Sequence, residues 1–192
     1  MVKSLTEAYG KEPTPEEIFY YVYGILYSNT YRKKYAEFLK IDFPRIPFTK
    51  DRSLFLKIGE LGKQLVDLHL LKFPEPEKPV ARFQGEGDGK VEKPVYKEKE
   101  KRVYINGTQY FEGIEKEVWT YQVGGYQVMD KWLKDRKGAL LSHKDIVHYC
   151  KIASSLQKTI ELQSSLDALY PASEKDAGMN LPLEHPSHFP AN

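Results

Sequence analysis

Leu54, Ile58, Leu61, Leu65 and Leu68 follow one another at intervals of four and three residues. That spacing lays an apolar seam along one side of a long helix, and it predicts a helix over about 50–71. Near the other end, Ile146, Tyr149, Ala153, Leu156, Ile160 and Gln163 repeat a similar spacing, with Ser142 and Asp145 placed to cap a helix running to about Leu169. The two seams suit each other as packing partners. The stretch between them has a different texture. Short apolar runs at 80–83, 90–96, 102–105 and 109–111 read as strands, broken by the glycine-rich Gly85–Gly89 and by Asn106-Gly107, a hairpin-turn dipeptide. Long helices at both ends, packed with a small, mainly antiparallel sheet, make an α+β fold the expectation.

The remaining punctuation sets the boundaries. Thr14-Pro15-Glu16-Glu17 is a helix start, with Thr14 as cap, Pro15 in the first turn and Glu17 closing a capping box. Ile18, Val22, Ile25 and Leu26 then give a helical stripe surrounded by Tyr20, Tyr21 and Tyr23. A break at Ser28–Thr30 precedes a second helical piece over 31–39. Pro44 and Pro47 forbid helix beyond it, so 43–47 should be extended and anchored by Ile41, Phe43, Ile46 and Phe48. Residues 73–79 hold three prolines and read as a linker. Residues 115–123 fit neither pattern clearly, and Gly124-Gly125 reads as the entry to a short helix over 126–136. The expected layout is a flexible 1–13, one domain over 14–170 (helical 14–72, sheet-rich 80–123, helical 126–170), and a loose tail over 171–192.

Composition excludes several classes. A single cysteine, Cys150, rules out an internal disulfide and a multi-cysteine zinc site, and its place beside the apolar seam of the last helix predicts a buried, inert thiol. No apolar run is long enough to span a membrane, and the first residues have no signal-peptide core, so a cytoplasmic location is expected. The histidines, His69, His143, His148, His185 and His188, are not spaced for metal binding. Gly85–Gly89 resembles a nucleotide or S-adenosylmethionine loop, but Lys90–Tyr96 after it is extended where such a loop needs a helix. A flexible hairpin tip fits better. Asp88-Gly89-Lys90 and Asp135-Arg136-Lys137 match only half of a metal-dependent nuclease signature. The chain is therefore expected to lack catalysis and a cofactor of its own.

Fourteen tyrosines beside nine phenylalanines suit wet interfaces, although ordinary core and strand roles would account for most of them. Net charge is only +2, so any nucleic-acid footprint must come from local clusters. Three exist: Arg32 and Lys33 with Lys34; Lys90, Lys93, Lys97, Lys99, Lys101 and Arg102, diluted by Glu98 and Glu100; and Lys131, Lys134, Arg136 and Lys137. A solvated charged face is the alternative for each.

Two stretches resemble a known family. FYYVYGILYSNTYRKKYAEFLKIDFPRIPFT over 19–49 looks like the end of the target-recognition region in adenine-specific DNA methyltransferases fused to restriction machinery. RVYINGTQYFEGIEKEVWTYQVGGYQVMDKW over 102–132, continuing to Leu141-Ser142, resembles the C-terminal specificity domain of Type ISP restriction-modification enzymes. The likeness spans roughly 16–169. It implies a target-recognition domain that reads double-stranded DNA, with methyltransferase and helicase-like domains of the same parent polypeptide as partners and S-adenosylmethionine held in the parent's methyltransferase domain. The adenine-gripping Asn-Pro-Pro-Tyr or Asp-Pro-Pro-Tyr tetrapeptide is absent from this sequence. Phosphate contacts are expected from Lys93, Lys97, Lys99, Lys101, Arg102, Arg32 and Lys33, and base reading from Gln84, Gln127 and Arg136. The competing expectation is a helical module that docks onto the ATPase or methyltransferase parts of the parent.

Overall fold

The capping signals are realised as local geometry. Thr14 Oγ1 accepts from the Glu17 amide at 3.2 Å while Glu17 Oε2 accepts from the Thr14 amide at 2.8 Å, opening α2 over Pro15–Tyr27. Ser28 ends that helix and caps α3, Asn29–Lys34, by accepting from the Tyr31 amide. Asp51 caps α4, Arg52–His69, through the Ser53 amide at 2.8 Å. Ser142 and Asp145 form a reciprocal pair at the head of α7, His143–Asp176. A computed structural model describes residues 2–72 and 79–177. The proline-rich 73–78 and the last residues with His185 and His188 lie outside them.

Contacts divide the chain into two units: residues up to Gly62 with those from Leu166 onward, and Lys63–Ser165. In the first unit α2 and α4 approach closely. An alanine methyl at Gly62 would lie 1.9 Å from the Tyr20 carbonyl oxygen, and one at Gly24 would lie 2.9 Å from that of Ile58. The buried side of α4 here is Phe55, Ile58, Gly59 and Gly62, turned by about one residue from the leucine seam, because glycines admit a neighbouring backbone that leucines would hold off. In the second unit α4 reaches α7 at its end, where Ser155 donates to the Leu68 carbonyl at 3.1 Å and His69 meets the Thr159 hydroxyl at 3.2 Å.

Three expectations for the first unit are corrected. Residues before 13 are not featureless, since α1 spans Val2–Tyr9 and buries Leu5 and Tyr9. Ile41 and Phe43 do not anchor the segment after α3: they are 68% and 87% exposed. Tyrosine hydroxyls do that work, with Tyr31 donating to the Arg45 carbonyl, Tyr21 to that of Pro47 and Tyr9 to that of Thr49. Finally, α7 continues through Pro171 to Asp176, where a loose tail was expected. Proline removes one helical hydrogen bond, but the last turn holds several tertiary ones. Ser173 bonds Tyr21, Glu174 accepts from Lys34, Tyr35 and Tyr170, and Asp176 accepts from Thr49 and the amides of Lys50 and Asp51.

These bonds lower the carboxyls of both residues. For Glu174 the lowering by Lys34, Tyr35 and Tyr170 outweighs a burial cost that acts the other way, and for Asp176 the Thr49 hydroxyl leads. A depressed folded-state carboxyl adds stability above its unfolded value and loses it as pH falls through the folded one. Acidification below the usual carboxylate range should therefore lower the melting temperature of the wild type more than that of a Glu174→Gln, Asp176→Asn variant. Parallel melting curves from pH 7 downward would refute this assignment.

The second unit carries the sheet. β1 (Arg82–Gln84), β2 (Val95–Lys97), β3 (Arg102–Tyr104) and β4 (Tyr110–Glu112) are ordered β1-β4-β3-β2, all antiparallel. With two-residue alternation, Phe83, Phe111, Val103 and Tyr96 form one row on the inner face. They pack with Ile105, Ile114, Met129, Leu133 and Tyr149 into one core. α5 (Lys116–Trp119) places Trp119 flat against Tyr96, ring centroids 5.3 Å apart. Gly124-Gly125 does not begin a helix. Both residues have positive φ (59° and 82°) and form the two-residue tip of a hairpin between β5 (Gln122–Val123) and β6 (Tyr126–Gln127), with α6 following over Val128–Lys134. Among the described residues no helix is long and apolar enough to cross a membrane.

Candidate nucleic-acid interface

The other face of the sheet points away from the core and is built by the same alternation. One row reads Arg82, Glu112, Arg102, Lys97, and the next reads Gln84, Tyr110, Tyr104, Val95. Tyr104 and Tyr110 stand 5.0 Å apart, centroid to centroid. Lys97 Nζ lies 4.3 Å over the Tyr104 ring and the Arg102 guanidinium 4.3 Å over the Tyr110 ring. A cation over a ring is attracted by the negative π face, so two aromatic platforms fix two charges that would otherwise sweep through solvent. Arg82 is exposed on the edge strand, and Gln84 Nε2 reaches Glu112 at 3.3 Å.

Glu100 closes this arrangement from the 3₁₀ turn over Glu98–Glu100. Its carboxylate accepts from the Tyr104 hydroxyl at 2.7 Å and lies 3.4 Å from both Lys97 and Arg102. Those partners, the Tyr104 hydroxyl foremost, hold its carboxyl below the ordinary range. The turn leaves through Lys101, a non-glycine residue at φ 51°. The left-handed step sends Lys101 elsewhere, to Glu115 at 2.6 Å, while Glu98 pairs with Lys116 at 3.1 Å.

The structure thus brings together three of the ten sequence-predicted residues, Lys97, Arg102 and Gln84. Lys99 is exposed on the turn and Lys93 on the loop before β2. Arg32, over the Tyr27 ring at 5.8 Å, and Lys33 sit on α3 in the other unit. Gln127 belongs to the β5–β6 hairpin, whose Tyr126 is exposed and has Lys131 5.6 Å from its ring. Arg136 stacks on Trp132 at 3.6 Å, donates to the Trp132 carbonyl and lies 3.7 Å from Asp145. It is the most restrained of the predicted base readers. Sequence reasoning missed Tyr104, Tyr110 and Arg82, although their every-second-residue placement beside Arg102 and Gln84 carried the signal.

Gly85–Gly89 proves to be a pinned crossing where a mobile hairpin tip was expected, since β1 pairs with β4 and not with β2. The room that its glycines leave is filled by protein. A methyl at Gly85 would meet the Thr108 carbonyl oxygen at 2.2 Å, and one at Gly87 the Gln109 side chain at 2.7 Å. Buried Gln109 Oε1 accepts from the Gly89 amide at 2.8 Å and from Asn106 at 3.0 Å. These residues do not fit S-adenosylmethionine or a nucleotide phosphate. Cys150 is buried and its thiol is pushed up to about 11 by burial, as its place on the last helix predicts. Among the described residues no group of three or more His, Cys, Asp or Glu could hold a metal ion.

A family model described as the Type ISP C-terminal specificity domain matches residues 1–164. Solved structures that share the fold include the following three. A nuclease-deletion mutant of the Type ISP restriction-modification enzyme LlaGI, in complex with a DNA substrate mimic, aligns with TM-score 0.63 and 24% identity over 81% of this chain and 14% of that one. The ATP-dependent Type ISP restriction-modification enzyme LlaBIII bound to DNA aligns with TM-score 0.62 and 25% identity over 80% of this chain and 11% of that one. The DrdV–DNA complex aligns with TM-score 0.60 and 20% identity over 86% and 19%. This chain thus spans 11–19% of the length of those proteins. None of the curated proteins matches it.

Proposed function

Given that the chain belongs to the Type ISP C-terminal specificity domain family, we propose that it recognises double-stranded DNA sequence-specifically for a restriction-modification N6-adenine methyltransferase and performs no catalysis itself. In this reading, methyltransferase and helicase-like domains of the same parent polypeptide are its partners, and S-adenosylmethionine is held there. The observation that carries it is the outer sheet face, where Lys97 and Arg102 are held over Tyr104 and Tyr110 beside Arg82 and Gln84. Guanidinium and ammonium groups so placed suit phosphate oxygens, and an amide such as Gln84 can read base edges. The LlaGI and LlaBIII neighbours are themselves DNA complexes.

The test is the salt dependence of duplex binding. Each phosphate neutralised adds about 0.9 to the slope of log affinity against log salt. Lys97→Ala with Arg102→Ala should weaken binding to all duplexes alike and flatten that slope by about 2. An unchanged slope would remove the outer face from the interface.

A second reading, docking of the chain onto the ATPase or methyltransferase parts of the parent, draws on a different surface. Ile41 and Phe43 project into solvent from the segment after α3, with the Arg45 guanidinium 5.0 Å from the Phe38 ring. Apolar docking there would respond little to salt, which separates the two readings.

A further inference from the structure

The outer face of the sheet holds more than exposed cations. It holds a cradle for an anion, and the protein's own carboxylate sits in it. We propose that Glu100 is an internal stand-in for a DNA backbone phosphate, occupying a site formed by Lys97, Arg102 and the Tyr104 hydroxyl until a phosphodiester displaces it. This rests on the DNA-binding reading above.

Three donors from two strands converge on one carboxylate, at 2.7 Å from Tyr104 and 3.4 Å from Lys97 and Arg102. A phosphodiester presents two terminal oxygens and one negative charge, as a carboxylate does, so the same donors serve either. The cradle does not depend on Glu100 for its shape. Lys97 rests on the Tyr104 ring and Arg102 on the Tyr110 ring, and the two rings contact each other, all within strands whose opposite faces are locked in the core. Glu100 itself sits on a solvent-exposed turn outside the sheet ladder. Its withdrawal therefore costs two ion pairs at 3.4 Å and one hydrogen bond, all at the solvent-facing surface and each a small term. The consequence is that Lys97 and Arg102 are paired with Glu100 at rest and become available to an anion with better geometry, Arg102 keeping Glu112 at 3.9 Å. Loose association with nonspecific polyanions is thereby penalised.

The stand-in predicts a gain where a charge is lost. Binding of a fluorescent 30-base-pair duplex to the full chain would be measured at low salt for the wild type, Glu100→Ala, Glu98→Ala, and Glu100→Ala combined with Tyr104→Phe. Glu98 lies on the same turn and removes the same charge, but its partner is Lys116, outside the cradle. Glu100→Ala should bind about threefold more tightly than the wild type, the scale of an exposed ion pair. Glu98→Ala should change affinity far less, and Tyr104→Phe should cancel part of the gain by removing a donor. If Glu100→Ala binds no better than the wild type or Glu98→Ala, the stand-in is overturned while the DNA-binding reading survives. If none of the four proteins binds duplex, both fall.

Discussion

Gly62→Ala is expected to destabilise the chain by about 2 kcal/mol or more, whereas Gly59→Ala, one turn earlier on the same helix, should stabilise it by up to about 1 kcal/mol. Both changes bring the same gain in helix propensity, because glycine in a helix interior is about 1 kcal/mol worse than alanine. What differs is the space each methyl enters. At Gly59 it would lie 3.8 Å from the nearest atom, the Glu17 carbonyl oxygen, an ordinary contact. At Gly62 it would lie 1.9 Å from the Tyr20 carbonyl oxygen and 3.0 Å from the Gly24 amide nitrogen. Those two atoms are backbone acceptor and donor within one turn of α2, so neither can rotate aside as a side chain would. α2 and α4 must separate, and the burial of Tyr21, Ile25, Phe55 and Ile58 loosens with them. Shifts of opposite sign in the denaturant midpoint are the expected result. Equal shifts would mean that the two helices do not cross where the glycines place them.

That pair also marks the limit of what the sequence made legible. Local chemistry was readable: Thr14 with Glu17 and Ser142 with Asp145 cap helices through bonds spanning three residues. Asn106-Gly107 marked a hairpin, though by another physical route. The loop between β3 and β4 has five residues, 105–109, and Asn106 Oδ1 holds it by accepting from the amides of Thr108 and Gln109. Non-local facts were not readable. Which apolar stripe of α4 is buried depends on the close approach of α2. The order β1-β4-β3-β2 depends on a crossing in which the glycine loop is pinned against Thr108 and Gln109, far along the chain. The helix beyond Pro171 depends on Tyr21, Lys34 and Thr49, more than a hundred residues away in the chain. In the candidate site, a run of lysines separated by glutamates did not disclose which cation meets which carboxylate. The 3₁₀ turn and the left-handed Lys101 decide that, by sending Lys97 and Lys101 to different partners.

Adjacent residues of β4 should separate stability from binding. Phe111→Ala is expected to cost about 3–5 kcal/mol. Its ring is wholly buried, 4.3 Å from Tyr149 and 4.8 Å from Phe83 between centroids, and β4 is flanked by β1 and β3, so little nearby can collapse into the void. Tyr110→Ala removes a ring of comparable size from the opposite face. That ring is half-exposed, and its main partners are Tyr104 and the Arg102 guanidinium. Its loss should cost only about 1 kcal/mol of stability, the worth of an exposed ring pair and cation contact. Duplex affinity should nevertheless fall, because Arg102 loses the platform that holds it in place and must be ordered at the moment of binding. Unfolding midpoints paired with duplex titrations would show the two effects apart: Phe111→Ala moves the midpoint most, and Tyr110→Ala moves affinity with the midpoint nearly kept. Should Tyr110→Ala bind duplex as the wild type does, the aromatic rings of the outer face are only a covering for the sheet, and the proposed DNA contact does not run through them.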